Sequence, residues 1–522
     1  MTTQVHAGRM TSSHSDSERS QVQTHEPPIL HDSSVTGDSN VNPELDQIFD
    51  YASFMWTDTG AFDLRNDPFG QGASQSSNVL NSPIAPLLNG SLTNASGLSE
   101  PSPATVQTDA DLLETFAGSS APPILAHIET KLRWSVLRKL LSDMARTSSV
   151  VRNSVLAYSS LSLAEGRRPN QQHVAHYDEA KESLKVKLTE SPSQTGGSQS
   201  QVEHLLAASF LLCYIDLVTD RSEQAHATLK QAHTTVRHLP SDSLTPLNRR
   251  LISWLRLLDA RAVSAGGEGR FLRDETDTLS NAELDSPYEE RTDAYDDADT
   301  IQEALLDALS APGTVFFHRI QTFMGRISLI DPWHRSRGTV EDETQVMGIA
   351  SKISSDIIKL YRHRPPLMDL AIKGSLREPY LPSALAANVT RTLRTYLANY
   401  YASFVHLHRV AYKHLPQTTN VTSAISTIRH IAKVMAESQT VQGDPLPVNM
   451  LWPLLMWGCE ENATDERAWI TASIRKMGGV ATNASITADV LEEVQRRQDT
   501  SGARVDVRSV MEDVFHSSFA IV

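Results

Sequence analysis

The sequence predicts an all-α fold, a multi-helix domain of packed antiparallel helical pairs with a long disordered N-terminal region and an acidic flexible loop. Three observations predict it. From Asp109 onward apolar residues recur at spacings of three and four, no stretch alternates apolar and polar residues as a strand does, and Pro or Gly punctuates the ends of the periodic stretches. Helical pairs without a sheet imply one all-α body, expected over residues 110–522.

Residues 1–109 are rich in Ser, Thr, Gln, Asn, Gly and Pro and lack a sustained period, so they are expected to stay disordered for want of apolar surface to offset chain entropy. One island interrupts them. Between Asn42 and Gly70 the bulky residues Phe49, Tyr51, Phe54, Trp56 and Phe62 stand among Asp46, Asp50, Asp58, Asp63 and Asp67. Acidic and aromatic residues mixed in this way read as an activation-type segment, with those five aromatics as its partner-binding residues. A segment that docks on the chain's own domain would have the same composition.

The helical region opens with Ile128, Leu132, Val136, Leu137, Leu140 and Leu141 on one face, and Lys131, Arg133, Arg138, Lys139 and Arg146 elsewhere. With Glu129 and Asp143 interspersed, those charges read as a solvated surface. Val151 to Leu163 and Tyr177 to Leu188 give two further helices, and Gln194 to Gln201 a Gly/Ser/Gln linker. Val202 to Val218 is apolar almost all round, as a buried central helix is. Its expected partner starts at a capping-box-like Asp220-Arg-Ser-Glu223 and repeats Ala225, Leu229, Ala232, Val236 and Leu239. Pro240 and Pro246 end that helix; Leu251, Trp254, Leu255, Leu258 and Ala262 form the next, closed by Gly266-Gly267. Glu268 to Asp299 is read as the flexible acidic loop. Helices then follow at Ile301 to Leu309, Val315 to Ile330, Glu343 to Arg362, Ser383 to His414, Thr422 to Gln439 and Ser485 to Arg497.

The net charge of -15 is unevenly placed. Met1 to Ala110 holds thirteen acids against three Arg, and Glu268 to Asp307 fourteen against three, so the acidity belongs to two solvated segments. Cys213 and Cys459 lie in apolar runs and read as buried thiols rather than a disulfide framework. The first thirty residues contain no apolar h-region. The longest apolar stretches, Leu205 to Val218 and Met450 to Trp457, fall short of the ~20 residues of a membrane-spanning helix, so no membrane is expected as partner.

Chemistry has few candidates. Asp296, Asp297 and Asp299 in YDDADT resemble the magnesium-binding aspartate motif of all-α terpene synthases, which makes an all-α metal-dependent enzyme the alternative reading. They sit in an acidic stretch with little apolar support, which favours a solvated loop. The histidine pairs His173/His176, His226/His233 and His406/His408 bring no Cys, Asp or Glu at metal-site spacing. No nucleophile elbow or Gly-rich phosphate loop occurs. No catalytic residue, metal or cofactor is expected.

Leu451 to Met477, LWPLLMWGCEENATDERAWITASIRKM, is the most specific stretch. Trp452 and Pro453 open one helix, where a proline loses only an N–H without a helical partner. Gly458 beside Cys459 allows a neighbouring backbone to come close. Thr464 is the expected cap of a second helix carrying Asp465 and Glu466 in its first turn and Trp469, Ile470, Ser473, Ile474 and Met477 on one face, with Gly478 as its stop.

The pattern apolar-Trp-Pro-apolar-apolar-x-x-Gly-Cys-Glu followed by Glu-Arg-x-Trp-Ile resembles the late signature of the helical regulatory domain of fungal zinc binuclear cluster transcription factors. Val151-Arg-Asn-Ser-Val-Leu-Ala157 with His176-Tyr177 and Ala180 resembles an earlier segment of that family, and Glu203 to Leu239 its central hairpin, all in the family's order. The resemblance implies a nuclear transcriptional regulator, pathway-specific as in secondary metabolism, with the transcription machinery or other regulators as partners. A homo- or heterodimer and a non-activating scaffold stay open. The family joins this domain to a six-cysteine DNA-reading module. Two cysteines and an N-terminal region with three Arg and no Lys argue against direct DNA contact by this sequence. A missed first exon, a loss of the module and recruitment to another task are the three accounts of that departure.

Overall fold

The computed structural model describes residues 107–163, 171–189, 199–239, 244–273, 298–438, 445–516 and 518–521. Among them are seventeen α-helices and no strand. The first eight are α1 (Asp109–Gly118), α2 (Lys131–Thr147), α3 (Ser149–Leu163), α4 (Gln171–Thr189), α5 (Gln199–Val218), α6 (Ser222–Arg237), α7 (Pro246–Ala262) and α8 (Arg270–Arg273). The others are α9 (Ala298–Ser328), α10 (Val340–Arg362), α11 (Pro366–Ile372), α12 (Ser383–Ala411), α13 (Thr419–Glu437), α14 (Leu451–Glu460), α15 (Thr464–Lys476), α16 (Ala484–Ser501) and α17 (Val507–Phe515).

Short polar side chains start many of these helices. Thr108 with Asp111, and Thr339 with Asp342, form capping boxes at α1 and α10, while Thr130, Thr245, Thr418 and Asp506 cap α2, α7, α13 and α17. Each satisfies an N–H that has no partner within its own helix. The expected box at Asp220-Arg-Ser-Glu223 does not form. Arg221 is the N-cap and makes no side-chain capping bond, because Asp220 turns the chain in the left-handed region at φ +61°. Helices α5 and α6, joined by three residues, pack on each other.

Helix α5 carries the apolar interior of the first half, packing on α3, α4, α6 and α7. Ser200–Val218 is long and apolar enough to cross a membrane by length and composition, which corrects the expectation of a shorter stretch. Its surroundings are nevertheless those of a core helix. Phe210, Leu211, Leu212, Cys213 and Ile215 are all fully buried by neighbouring helices. Asp216 on the same helix accepts hydrogen bonds from Tyr177 and from Lys181 Nζ (2.5 Å), and Lys181 also donates to Thr228 Oγ1 (2.7 Å). A buried carboxylate is tolerated where it is paired and hydrogen-bonded in this way.

In the second half α12 is the pivot, packing on α9, α10, α11, α13 and α14. Two helices expected at Ile301 to Leu309 and Val315 to Ile330 are one, since α9 runs through Pro312. The proline is exposed, as is Ala308, so the carbonyl it deprives of an N–H is open to water. Gly313 next to it is buried, and a Cβ there would lie 2.5 Å from Leu393 Cδ2, so the helix passes closest to α12 at this point. Within the stretch read as an acidic loop, α8 is helical and buries Phe271 and Leu272, and residues 274–297 lie outside the described ones.

Charges expected on a solvated surface around the first helix are in part enclosed. Glu129 accepts from Arg250 Nε and Nη2 (both 2.6 Å) and from Trp254 Nε1 (2.7 Å), and Arg133 pairs with Asp307. Glu129, Arg133 and Arg250 are all buried. The cluster ties α2 to α7 and α9, and the reason it was unreadable is that its partners come from helices more than a hundred residues away.

Candidate functional site

Helices α14 and α15, with the loop between them, form a polar hub under an apolar cover. Pro453 sits in the first turn of α14, behind a short 3-10 turn at Val448–Met450. Leu451 to Cys459 are buried without exception. Gly458 admits a side chain rather than a backbone, since a Cβ would lie 2.6 Å from Leu491 Cδ2 of α16.

The helix ends in two acids with separate tasks. Glu460 pairs with Arg409 of α12, accepts from Arg504 Nε (3.0 and 3.1 Å) and takes Gln417 Nε2 at 2.7 Å. Burial alone would raise its pKa; the Arg409 and Arg504 guanidiniums outweigh burial and hold it below the usual carboxylate range. Arg409 in turn donates to the carbonyls of Cys459 (3.1 Å) and Val505 (2.6 Å), which fastens the C-terminal end of α14 to the segment before α17. The cap expected of Thr464 does not form: α15 has no side-chain capping bond, and Glu461 instead braces the turn before it. Its Oε1 accepts from the backbone N–H groups of Asn462 (2.9 Å) and Ala463 (3.0 Å), and Oε2 from Trp457 Nε1 (2.8 Å), while Ala463 occupies the N-cap of α15. Arg467 donates to the Glu461 carbonyl at 2.6 Å and pairs with Asp499, and Trp469 lies against Trp457 with ring centroids 5.6 Å apart. Glu460, Glu461 and Arg467 thereby help to fix α14, α15 and α16 to one another.

Beside this hub opens a cavity of about 290 Å³. Trp452 and Met456 of α14 line one wall, Met324 and Val263 another, and Trp333, Lys413, Asp331, Asp506 and Arg508 its polar part. Trp452 packs edge-on against His406 at 5.0 Å. Burial and the adjacent Arg409 push the His406 imidazole down to about 3, so it is neutral at pH 7. The carboxylates are engaged: Asp331 accepts from Trp333 N (2.9 Å), and Asp506 from Ser509 N (2.9 Å) as the cap of α17.

A family model for the fungal-specific transcription factor domain matches residues 113–521, which include the hub and the cavity. The chain belongs to that family. Searches of curated proteins and of solved structures returned no match. As a fungal-specific transcription factor domain protein it is a transcriptional regulator, and the motif at Leu451 to Met477 is the part of the domain that locks α14, α15 and α16 together.

The residues singled out for partner binding, Phe49, Tyr51, Phe54, Trp56 and Phe62, lie outside the described residues. So do Asp296 and Asp297, whereas Asp299 falls in the first turn of α9. Among the described residues no three His, Cys, Asp or Glu side chains stand together as a metal site. His173 is buried with Nδ1 on the Ala157 carbonyl (2.9 Å), and His408 Nε2 meets the Pro416 carbonyl (3.1 Å). Cys213 and Cys459 are buried free thiols. Sequence reading missed Arg409, Arg504 and the cavity. The one available signal was Glu460, an acid directly after a fully apolar helix, which demands a buried cation.

Proposed function

We propose that this chain is a nuclear, pathway-specific transcriptional regulator in which residues 110–522 form the helical regulatory body and residues 42–70 contact the transcription machinery. The observation that carries the reading is the family match over residues 113–521. Its helical body relays a signal through the α14–α16 hub. The 522 residues hold two cysteines, both buried in helices, whereas a binuclear zinc cluster takes six, so residues 1–522 do not themselves build that cluster. The acidic and aromatic side chains of residues 42–70 suit a coupled-folding contact, in which Phe49, Tyr51, Phe54, Trp56 and Phe62 supply the apolar anchors. Ordering such a segment costs roughly 2–5 kcal/mol, so removing several anchors leaves too little to offset it.

The test is a reporter assay with residues 40–72 fused to a heterologous DNA-binding module. Activation is expected from the fusion, with loss of output on replacing Phe49, Phe54 and Trp56 by Ala. An inactive fusion, or a triple variant as active as the parent, ends the reading of this segment.

A further inference from the structure

We infer that the cavity beside α14 is a binding site for a small aromatic monocarboxylate, an inference that rests on the regulatory reading and names the signal its body would take. Its volume of about 290 Å³ lies just below the range for drug-sized ligands, about 300–1,000 Å³, which suits a smaller one. The walls are apolar where a ring would lie, with Met324, Met456 and Trp452 each less than 10% exposed.

Charge decides the class of ligand. Four cations and two carboxylates border the cavity. Arg409 and Arg504 are consumed by Glu460 and by backbone carbonyls. Asp331 and Asp506 accept from the N–H groups of Trp333 and Ser509, and counted with Glu460 they set three carboxyl groups against the four cations. Arg508 and Lys413 have no hydrogen-bond or ion-pair partner among the described residues; the Arg508 guanidinium instead lies over the Trp333 ring, 4.5 Å from its centroid. Gly266, at φ +89°, makes room for it, since a Cβ there would lie 2.1 Å from Arg508 Nη2. Cations thus outnumber carboxyl groups by one. A carboxylate supplies the missing acceptors, and a ring attached to it fills the apolar part between Trp333 and Met456. Because α14, residues 331–333 and residues 504–509 each contribute a wall, an occupant braces the polar hub against α17.

The experiment is titration of the full chain with sodium benzoate, followed by calorimetry and by thermal unfolding, with benzamide as the neutral control. Saturable benzoate binding with a rising Tm is expected, with benzamide at least tenfold weaker. Arg508→Gln and Lys413→Gln are expected each to weaken benzoate by about tenfold, the loss of one charged hydrogen bond of roughly 1.4 kcal/mol. Both side chains are partly exposed, and circular dichroism verifies that each variant is folded. Absence of saturable benzoate binding, equal binding of benzamide, or unchanged affinity in both variants overturns the inference. Benzoate binding by a chain that is silent in the reporter assay sustains the site and sinks the regulatory reading, so the two failures are distinguishable.

Discussion

Arg409 of α12 and Glu460 of α14 form an ion pair that is almost wholly enclosed, with side-chain exposures of 7% and 3%. Arg504 joins it from the segment before α17 at 15% exposure. The geometry couples three parts of the chain that are otherwise distant in sequence, and it places the charge at the end of the most apolar helix in the second half.

Removing the acid alone strands two guanidiniums in a low-dielectric setting. Glu460→Ala is expected to cost about 3–5 kcal/mol, the usual penalty for breaking a buried pair. Urea unfolding measures it. The double variant Glu460→Ala/Arg409→Met is expected to regain part of that loss, because the uncompensated charge goes with it. A single variant within 1 kcal/mol of the parent would mean that water already reaches the hub.

Gly458 offers a separate packing test. A methyl group at this position meets Leu491 Cδ2 at 2.6 Å and Ile470 Cγ2 at 3.3 Å, and both neighbours are fully buried. Gly458→Ala is expected to cost about 1–3 kcal/mol through overpacking. Adding Leu491→Ala opens space for the methyl, so the two costs should fall short of their sum, which thermal unfolding of the four proteins resolves.

His318 carries the pH prediction. It is 6% exposed on α9, neither ring nitrogen has a partner, and burial with Arg250 and Arg256 nearby pushes its pKa down from 6.5 to about 3. The unfolded chain therefore binds a proton that the folded chain refuses between those two values. Stability from this residue is fully present above pH 6.5 and is lost as pH falls towards 3, at up to about 1.4 kcal/mol per pH unit. His318→Leu removes both the unpaired nitrogens and the linkage. Its Tm should exceed the parent's at pH 7, and the gap should widen at pH 5. A gap that is constant from pH 7 to pH 5 refutes the linkage.

Long periodic stretches were legible from sequence because one helix face decides them. Val202 to Val218 and Ser383 to His414 were expected nearly where α5 and α12 lie, and Cys213 and Cys459 are buried as their apolar neighbours imply. What failed depends on contacts distant in sequence. A gap was expected between Leu309 and Val315, yet α9 continues through Pro312 because the exposed side can lose a bond to water while Gly313 seats Leu393. Glu129 and Arg133 were read among the charges of a solvated surface; Arg250 and Asp307 pair with them in the interior. Thr464 looked like a cap, but it is the first residue of α15 and Ala463 takes the N-cap, while Glu461 binds the N–H groups of Asn462 and Ala463 ahead of the helix. The candidate site was half legible. The motif that lines it could be found, whereas Arg409, Arg508 and Trp333 come from other helices and loops and carry no local pattern.

The regulatory account is tested most directly by tethering the full 522-residue chain to a promoter through a heterologous DNA-binding module and measuring reporter transcript. The account predicts output well above that of the module alone, falling when Phe49, Phe54 and Trp56 are replaced by Ala and when Glu460 is replaced by Ala. Transcript equal to that of the module alone, from a chain shown to be folded and present in the nucleus, would contradict it.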